Sequence, residues 1–265
     1  MRSRRCGRVL RGPNGDRQVR SPPVASRTKE QTLRVSGGWG RIRPWRDRAD
    51  VAHVVVSTEA VLAPATVRAC MARARAAGYD AAVTSPLTEP AAVPFLEAGF
   101  RPHDELRLLV HDLDQIDRVD RVDRAGLALR RAGRGDRAAV VELDDRAFPP
   151  AWRLGASGLR EALRATPAVR FRIASRPAGR EPVAYAVTGR SGRRGYLQRL
   201  AVDPEARGRG YARALVADAL RWVRRGGGRR CLVNTQADNH EALALYEACG
   251  FRRLPSGLSV LGCAL

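Results

Sequence analysis

A short apolar stretch, Leu200-Ala201-Val202, runs through Asp203-Pro204-Glu205-Ala206 into Arg207-Gly208-Arg209-Gly210-Tyr211-Ala212, on which a helix opens. This order admits only folds in which a strand hands a glycine-rich turn directly to a helix N-terminus. Glycines at 208 and 210 allow backbone conformations closed to other residues and let a ligand come close to the chain. The first-turn amides of such a helix lack carbonyl partners, and with the helix dipole they favour an anion such as a pyrophosphate. Arg207, Arg209 and Arg213 can add charge-assisted hydrogen bonds. Taken alone, a Gly-Arg turn is also what an arginine-rich chain writes into any loop.

The residues that follow narrow the choice. The helix carries an apolar stripe of Leu215, Val216, Ala219, Leu220 and Val223, and ends at Gly226-Gly227-Gly228. A strand at Cys231 to Asn234 then leads through Thr235-Gln236 to Asn239-His240-Glu241-Ala242 and the run Leu245-Tyr246-Glu247-Ala248-Cys249-Gly250-Phe251. The segment from Tyr196 to Phe251 resembles the core of the GNAT superfamily of N-acetyltransferases. Arg207, Gly210 and Ala212 match its Arg/Gln-x-x-Gly-x-Gly/Ala pattern, and Asn239, Ala242, Tyr246 and Gly250-Phe251 match its Asn-x-x-Ala-x-x-x-Tyr-x-x-x-Gly-Phe element. The resemblance covers about residues 127 to 265. It implies acetyl-CoA as acyl donor and no metal, with the pyrophosphate on the amides of Arg207, Gly208, Arg209, Gly210, Tyr211 and Ala212. It implies further donor-binding positions at Leu200, Ala201, Val202 and Asn239.

The same resemblance assigns chemistry. The position of Tyr246 supplies the proton for the departing thiolate, and a phenol with an ordinary pKa near ~10 is a workable acid for a thiolate near ~8.5. Read from its residue type alone, Tyr246 could equally pack its ring in the core. Asn239 stands where relatives hold the pantetheine arm, and also where a helix N-cap would stand. The N–H groups of Leu200 and Val202 are the oxyanion candidates. Many relatives carry a glutamate as general base two residues before the Leu-Ala-Val run. This chain has Gln198, which cannot take a proton at neutral pH and is left to orient a water or bind substrate. Tyr196, Glu142, Asp144 and Asp145 are the substitutes weighed. Cys231 and Cys249 lie on apolar elements and read as core. The loop Ala147 to Trp152 resembles the Ala-Phe-Pro-Trp run of ribosomal-protein N-terminal alanine acetyltransferases, which makes Phe148 and Trp152 acceptor-side candidates. Those enzymes carry tyrosines near the C-terminus, whereas Arg252 to Leu265 holds none. The acceptor is therefore either a small amine or a peptide N-terminus.

Patterning predicts an α/β fold of the GNAT type, a mixed central sheet flanked by helices. In residues 127–265 the expected order is a strand, helices opening after Asp136 and near Ser157, three strands, then helix, strand, helix and closing strands. The first half repeats part of this. Thr84, Ala91, Phe95 and Gly99-Phe100 stand at the relative spacing of Thr235, Ala242, Tyr246 and Gly250-Phe251, and Val54 to Thr66 resembles Leu200 to Ala212. In that copy Val61-Leu62-Ala63-Pro64 replaces the glycine-arginine turn. Pro64 lacks an N–H and no glycine is present, so the means to cradle a pyrophosphate are gone. Residues 49–113 are thus expected to be a truncated, degenerate GNAT-like unit packed on the active one, an arrangement that double-GNAT mycothiol synthases parallel. Residues 114–126 are read as a linker, and residues 1–48 as a basic tail without structure.

Composition adds limits. Basic residues number 48 against 27 acidic ones, giving a formal net charge of +21. Lys29 is the one lysine, so the excess is arginine, and about half of it falls in residues 1–48. Nucleic-acid binding is expected only through that tail, because aromatic residues for base stacking are confined there to Trp39 and Trp45. The five cysteines are scattered with no metal-type spacing, and no apolar run reaches the ~18–20 residues of a membrane span. A reduced, cytoplasmic setting is expected. With Gln198 in place of an acid, an acyl-CoA-binding regulatory module without turnover stands beside the enzyme reading.

Overall fold

In a computed structural model of the chain, residues 30–35, 38–46, 48–58, 61–114, 127–176, 179 and 181–265 are described. The first half runs β1 (Gln31–Val35), β2 (Gly38–Trp45), β3 (Arg48–Thr58), α1 (Pro64–Ala76), β4 (Ala81–Thr84), α2 (Glu89–Glu97) and β5 (Arg101–Asp112). The second runs β6 (Ala128–Arg131), α3 (Arg137–Ala147), α4 (Gly155–Ala162), β7 (Ala168–Ser175), β8 (Pro182–Ser191), β9 (Arg194–Val202), α5 (Tyr211–Arg225), β10 (Arg230–Gln236), α6 (His240–Ala248), β11 (Arg252–Arg253) and β12 (Leu258–Ala264).

One expectation is corrected here. Residues 31–45, assigned to a structureless tail, form β1 and β2, which pair with each other and with β3 as an antiparallel meander. Dense arginine hid the strand pattern, because among the described apolar side chains of this stretch only Ile42 is fully buried. Residues 1–29, and the linker over 115–126, lie outside the described residues.

All strands join a single 12-stranded mixed sheet in the order β1-β2-β3-β4-β12-β5-β10-β9-β8-β7-β6, with β11 beside β5. Pairs β3–β4 and β9–β10 are parallel, and the other neighbours are antiparallel. The order is close to palindromic. Each end begins with an antiparallel run, continues to a parallel pair, and then meets a strand that belongs to the other half of the chain. Strand β5 is inserted beside β10, and β12 is inserted beside β4.

Strand alternation separates the two faces of the sheet. Leu109, Leu197 and Val233 face α5 and α6, where they pack with Leu215, Leu220, Tyr246 and Phe251. Tyr185, Val187 and Ala201 face α3 and α4, with Val140, Leu143 and Leu159. In the first half, Val54 packs with Phe95 and Phe100 against α1 and α2. Full burial of a side chain such as Phe100 contributes on the order of 1.5–3 kcal/mol. Helix boundaries follow local chemistry. Gly210, at φ +82°, opens α5 and Gly226 closes it, while Asn239 caps α6 by accepting from the Ala242 N–H at 3.1 Å. Asp136 precedes α3 as expected but caps nothing with its side chain, which instead binds Arg130 and accepts from the Gly133 N–H at 2.7 Å.

Candidate active site

Strands β9 and β10 begin side by side and then part. Their parallel pairing spans only Arg194↔Arg230, Gly195↔Cys231 and Tyr196↔Leu232, after which no pairing is made. Antiparallel β9 still holds β8 on its far side. The Asp203 N–H donates to the Val183 carbonyl at 2.8 Å, and along such a ladder alternate residues turn their N–H groups to opposite neighbours. Ala201 and Arg199 therefore point theirs at β8, and Leu200 and Val202 point theirs into the gap that β10 has left.

A cleft of about 1110 Å³ occupies this gap. On the α5–α6 side it is lined by Arg207, Gly208, Gly210, Tyr211 and Ala212, and then by Asn239 and Tyr246. Along β9 it meets Leu200, Ala201 and Val202, and on the opposite side Phe148, Pro149 and Trp152. The donor-site residues expected from the sequence are thus brought together, except Arg209, which does not line the cleft. Gly208 and Gly210 sit at φ +73° and +82°, and no side chain caps the first turn of α5. The amides of that turn face the cleft uncapped. Arg207 lies 3.5 Å from Glu241 Oε2, an exposed pair of small energetic weight. The residues fit an anionic, extended ligand laid from the α5 N-terminus into the gap.

Tyr246 is buried, with its ring tilted against Phe251 at 5.6 Å between centroids. Burial holds its hydroxyl well above the ordinary phenol range, so it keeps its proton at neutral pH. Cys231 and Cys249 are also buried, and burial pushes their thiols up to about 12 and about 11. They are inert core thiols, as read from the sequence.

On the other face, Phe148 and Trp152 are held by a buried polar cluster. The Arg199 guanidinium donates to both carboxylate oxygens of Asp144 at 2.8 Å and to the Trp152 carbonyl at 2.7 Å, and lies 3.5 Å from the centre of the Phe148 ring. Tyr185 and the Leu154 N–H also donate to Asp144. Asp144 is fully buried, and its acceptor capacity is taken up by this cluster, so it anchors the loop and does not serve as a base. Glu142 and Asp145, on α3, and Tyr196, at the last β9–β10 pair, do not line the cleft.

Gln198 occupies the β-bulge where the β8–β9 register slips. Its amide nitrogen lies over Gly189 beside Thr166, so close that a Cβ at 189 would stand 2.4 Å from it. It is not among the cleft-lining residues, and among the described residues its buried Oε1 has no hydrogen-bond partner. The position that carries an acid in relatives is turned aside here.

Several cleft residues escaped the sequence reading, Glu241 among them. Gln236 ends β10, Asp238 lies on the loop after it, and Asp104 comes from β5 in the first half of the chain. Alternation of Leu106, Leu108 and Val110 marks β5 as a strand, but nothing local shows that it lies beside β10. Arg46 was missed as well. It turns at φ +55° out of β2, stacks between Trp45 and Trp152 at 4.6 and 5.3 Å, and donates to the Ala151 carbonyl at 2.6 Å. Burial foremost, then Arg199, lowers its guanidinium pKa to about 10.

The first half shows a different arrangement of the corresponding elements. Strands β3 and β4 stay paired from Val51↔Ala81 to Val54↔Thr84, α1 opens on Ala63-Pro64 with no side-chain cap, and Phe95 meets Phe100 edge-on at 5.4 Å, where the Tyr246 and Phe251 rings are tilted at 5.6 Å. Among the described residues no group of three or more His, Cys, Asp or Glu side chains could hold a metal, and no helix is long and apolar enough to cross a membrane.

Residues 137–251 match the acetyltransferase (GNAT) family. The uncharacterized N-acetyltransferase YjgM of Escherichia coli is 38% identical over 66 residues, 25% of this chain and 40% of that protein. A mycothiol acetyltransferase of Geodermatophilus obscurus is 44% identical over 54 residues, 20% of this chain and 18% of that one. The chain thus spans less than half of either relative. A tandem GNAT protein from the clavulanic acid biosynthesis pathway superposes with a TM-score of 0.67 at 17% identity, covering 88% of this chain and 81% of that one. A GCN5-related N-acetyltransferase from Kribbella flavida does so with a TM-score of 0.60 at 16% identity, covering 89% and 90%. These two likenesses are of fold. The parted strands, the turn and the helix start lie together within residues 137–251, which match the acetyltransferase (GNAT) family, in a sheet of the GNAT fold.

Proposed function

We propose that this chain is an acetyl-CoA-dependent N-acetyltransferase that passes an acetyl group directly to a primary amine of a small molecule or a protein N-terminus. The observation that carries this reading is the cleft between the parted strands β9 and β10, which runs from the uncapped start of α5 past Tyr246 to Phe148 and Trp152. Donor and acceptor can meet there from opposite faces of the sheet.

The roles follow from the groups that face the cleft. The amides around Gly208 to Ala212 bind the donor's pyrophosphate, with Arg207 beside them. Asn239, its side-chain oxygen engaged by the Ala242 N–H, keeps its amide NH2 for the pantetheine arm. The N–H groups of Leu200 and Val202 stabilise charge that develops on the thioester oxygen. Tyr246, kept protonated by burial, gives its proton to the departing thiolate. Phe148 and Trp152 flank the acceptor, and Gln198 plays no part in proton transfer.

We read the first half as a second, degenerate copy of the same unit. Support comes from the near-palindromic strand order, from the paired rings Phe95–Phe100 and Tyr246–Phe251, and from Pro64 and the unparted β3–β4 pair, which leave one donor site per chain.

The rival reading, a module that binds acyl-CoA without turnover, is favoured by Gln198 alone. Thiol release from acetyl-CoA with a panel of small amines and N-terminal peptides separates the two. Turnover is expected, and Tyr246→Phe is expected to lower kcat by about 100-fold while acetyl-CoA still binds. Tight acetyl-CoA binding with no thiol release for any amine would establish the module.

A further inference from the structure

A direct acetyl transfer needs a group to take the proton of the incoming ammonium, and on the acetyltransferase reading, on which this inference rests, the residues nearest the expected base do not serve. Gln198 is an amide turned toward Gly189, and Asp144 is consumed by Arg199, Tyr185 and the Leu154 N–H. Three carboxylates line the cleft, those of Asp104, Asp238 and Glu241. Glu241 is 85% exposed and paired with Arg207 at the pyrophosphate end. Asp238 is exposed on the loop after β10. Asp104 is the most buried of the three.

Its position follows from the exchanged strand. Leu106 pairs with Gln236 and Leu109 with Val233. Val233 and Leu109 face α6, so Gln236 and Leu106 face the other way, and Asp104, two residues before Leu106, shares their face. This is the face on which α3 and α4 lie and from which Phe148 and Trp152 reach the cleft. Asp104 thus stands on the acceptor side, beside Gln236, and is more buried than its neighbour Asp238. It comes from the half of the chain that has no donor site of its own.

We propose that Asp104 is the catalytic base, which binds the acceptor ammonium and takes its proton. One N–H bond of the ammonium breaks as the Asp104 carboxylate gains the proton. The freed amine then forms a C–N bond to the acetyl carbon, the C–S bond breaks, and the thiolate leaves with a proton from Tyr246. The phenolate regains its proton from the nitrogen, which has given up its second one on becoming an amide, and Asp104 passes its proton to water. No oxidant or further reactant is needed. The acceptor that suits this site is a cationic primary amine.

The groups around Asp104 set its response to pH. Burial raises its pKa, a hydrogen bond from the Glu105 backbone opposes this, Asp238 on the adjoining loop after β10 raises it further, and His103 lowers it while Glu105, both on its own strand, raises it. Strand β12 brings only Val260 against it. A carboxylate works as a base only when ionised. Activity is therefore present above the Asp104 pKa and is lost as pH falls through it.

The test is the pH profile of kcat/KM for the full chain, with the best acceptor among benzylamine, glucosamine, lysine and an alanine-initiated peptide. Asp104→Asn is expected to lower kcat/KM about 100-fold and to abolish the acidic limb while leaving acetyl-CoA affinity unchanged. Glu105→Gln, on the opposite face, removes a charge that raises the Asp104 pKa, so it keeps the limb and the rate and moves the midpoint to lower pH. Should Asp104→Asn not fold, as judged by its melting curve, Asp104→Glu decides, since its limb must move. An active wild type whose limb and rate survive Asp104→Asn, or whose limb midpoint is unmoved in Asp104→Glu, overturns the assignment and leaves the acetyltransferase reading standing. A wild type that binds acetyl-CoA but releases no thiol with any amine overturns both.

Discussion

Arg199 is the residue on which the acceptor side depends most. Its guanidinium is shared between a buried carboxylate, a loop carbonyl and an aromatic face. Removing one partner of such a pair leaves a buried charge without compensation and costs about 3–5 kcal/mol. Arg199→Met is expected to lower the melting temperature by roughly 10 °C, at ~2–4 °C per kcal/mol for a chain of this size. It should also release the Phe148–Trp152 loop, seen as faster proteolysis within it. The donor residues were legible in the sequence because glycines at fixed offsets, Asn239 and Tyr246 each do a local job whose spacing survives in one dimension. Arg199 and Asp104 were not legible. One stands in a strand and acts through a helix 55 positions earlier, and the other depends on a pairing with β10 that no neighbouring residue announces.

At the scale of elements, the turn into α5 carries a specific demand on backbone geometry. Gly210 holds φ +82°, and a Cβ there would meet only Leu127 Cδ1 at 3.7 Å, so space is not what selects glycine. The left-handed conformation is, at about 1–2 kcal/mol for any other L-residue. Gly210→Ala is therefore expected to cost that much stability, or to relax the turn and misdirect the first amides of α5. Acetyl-CoA affinity measured by calorimetry should fall about tenfold in the second case. The helices were readable because their apolar stripes repeat over several turns, as in Leu215 to Val223. Strands β1 and β2 were not, since with Arg34, Arg41, Arg43 and Arg46 exposed or half-buried the stretch carries as much charge as a solvated tail, and among the described side chains Ile42 enters the core fully and Leu33 in part.

Over the whole molecule, the two halves are bound by an exchange of strands and not by a docked surface. Residues 127–265 expressed alone would present β10 without β5, and β12 without either neighbour, leaving open ladder edges that favour aggregation. We expect that fragment to be insoluble, and the intact chain to unfold in one calorimetric transition in which both halves melt together. Two separate transitions would contradict a shared sheet. The traded strands also bear on heredity. On the proposed reading of the first half as a copy without a ligand it could be thought dispensable, but its deletion would take β5 from the sheet and Asp104 from the cleft. Deletions that remove β5 should be as damaging as those in the motif itself, so the first half stays under selection for as long as the cleft is needed.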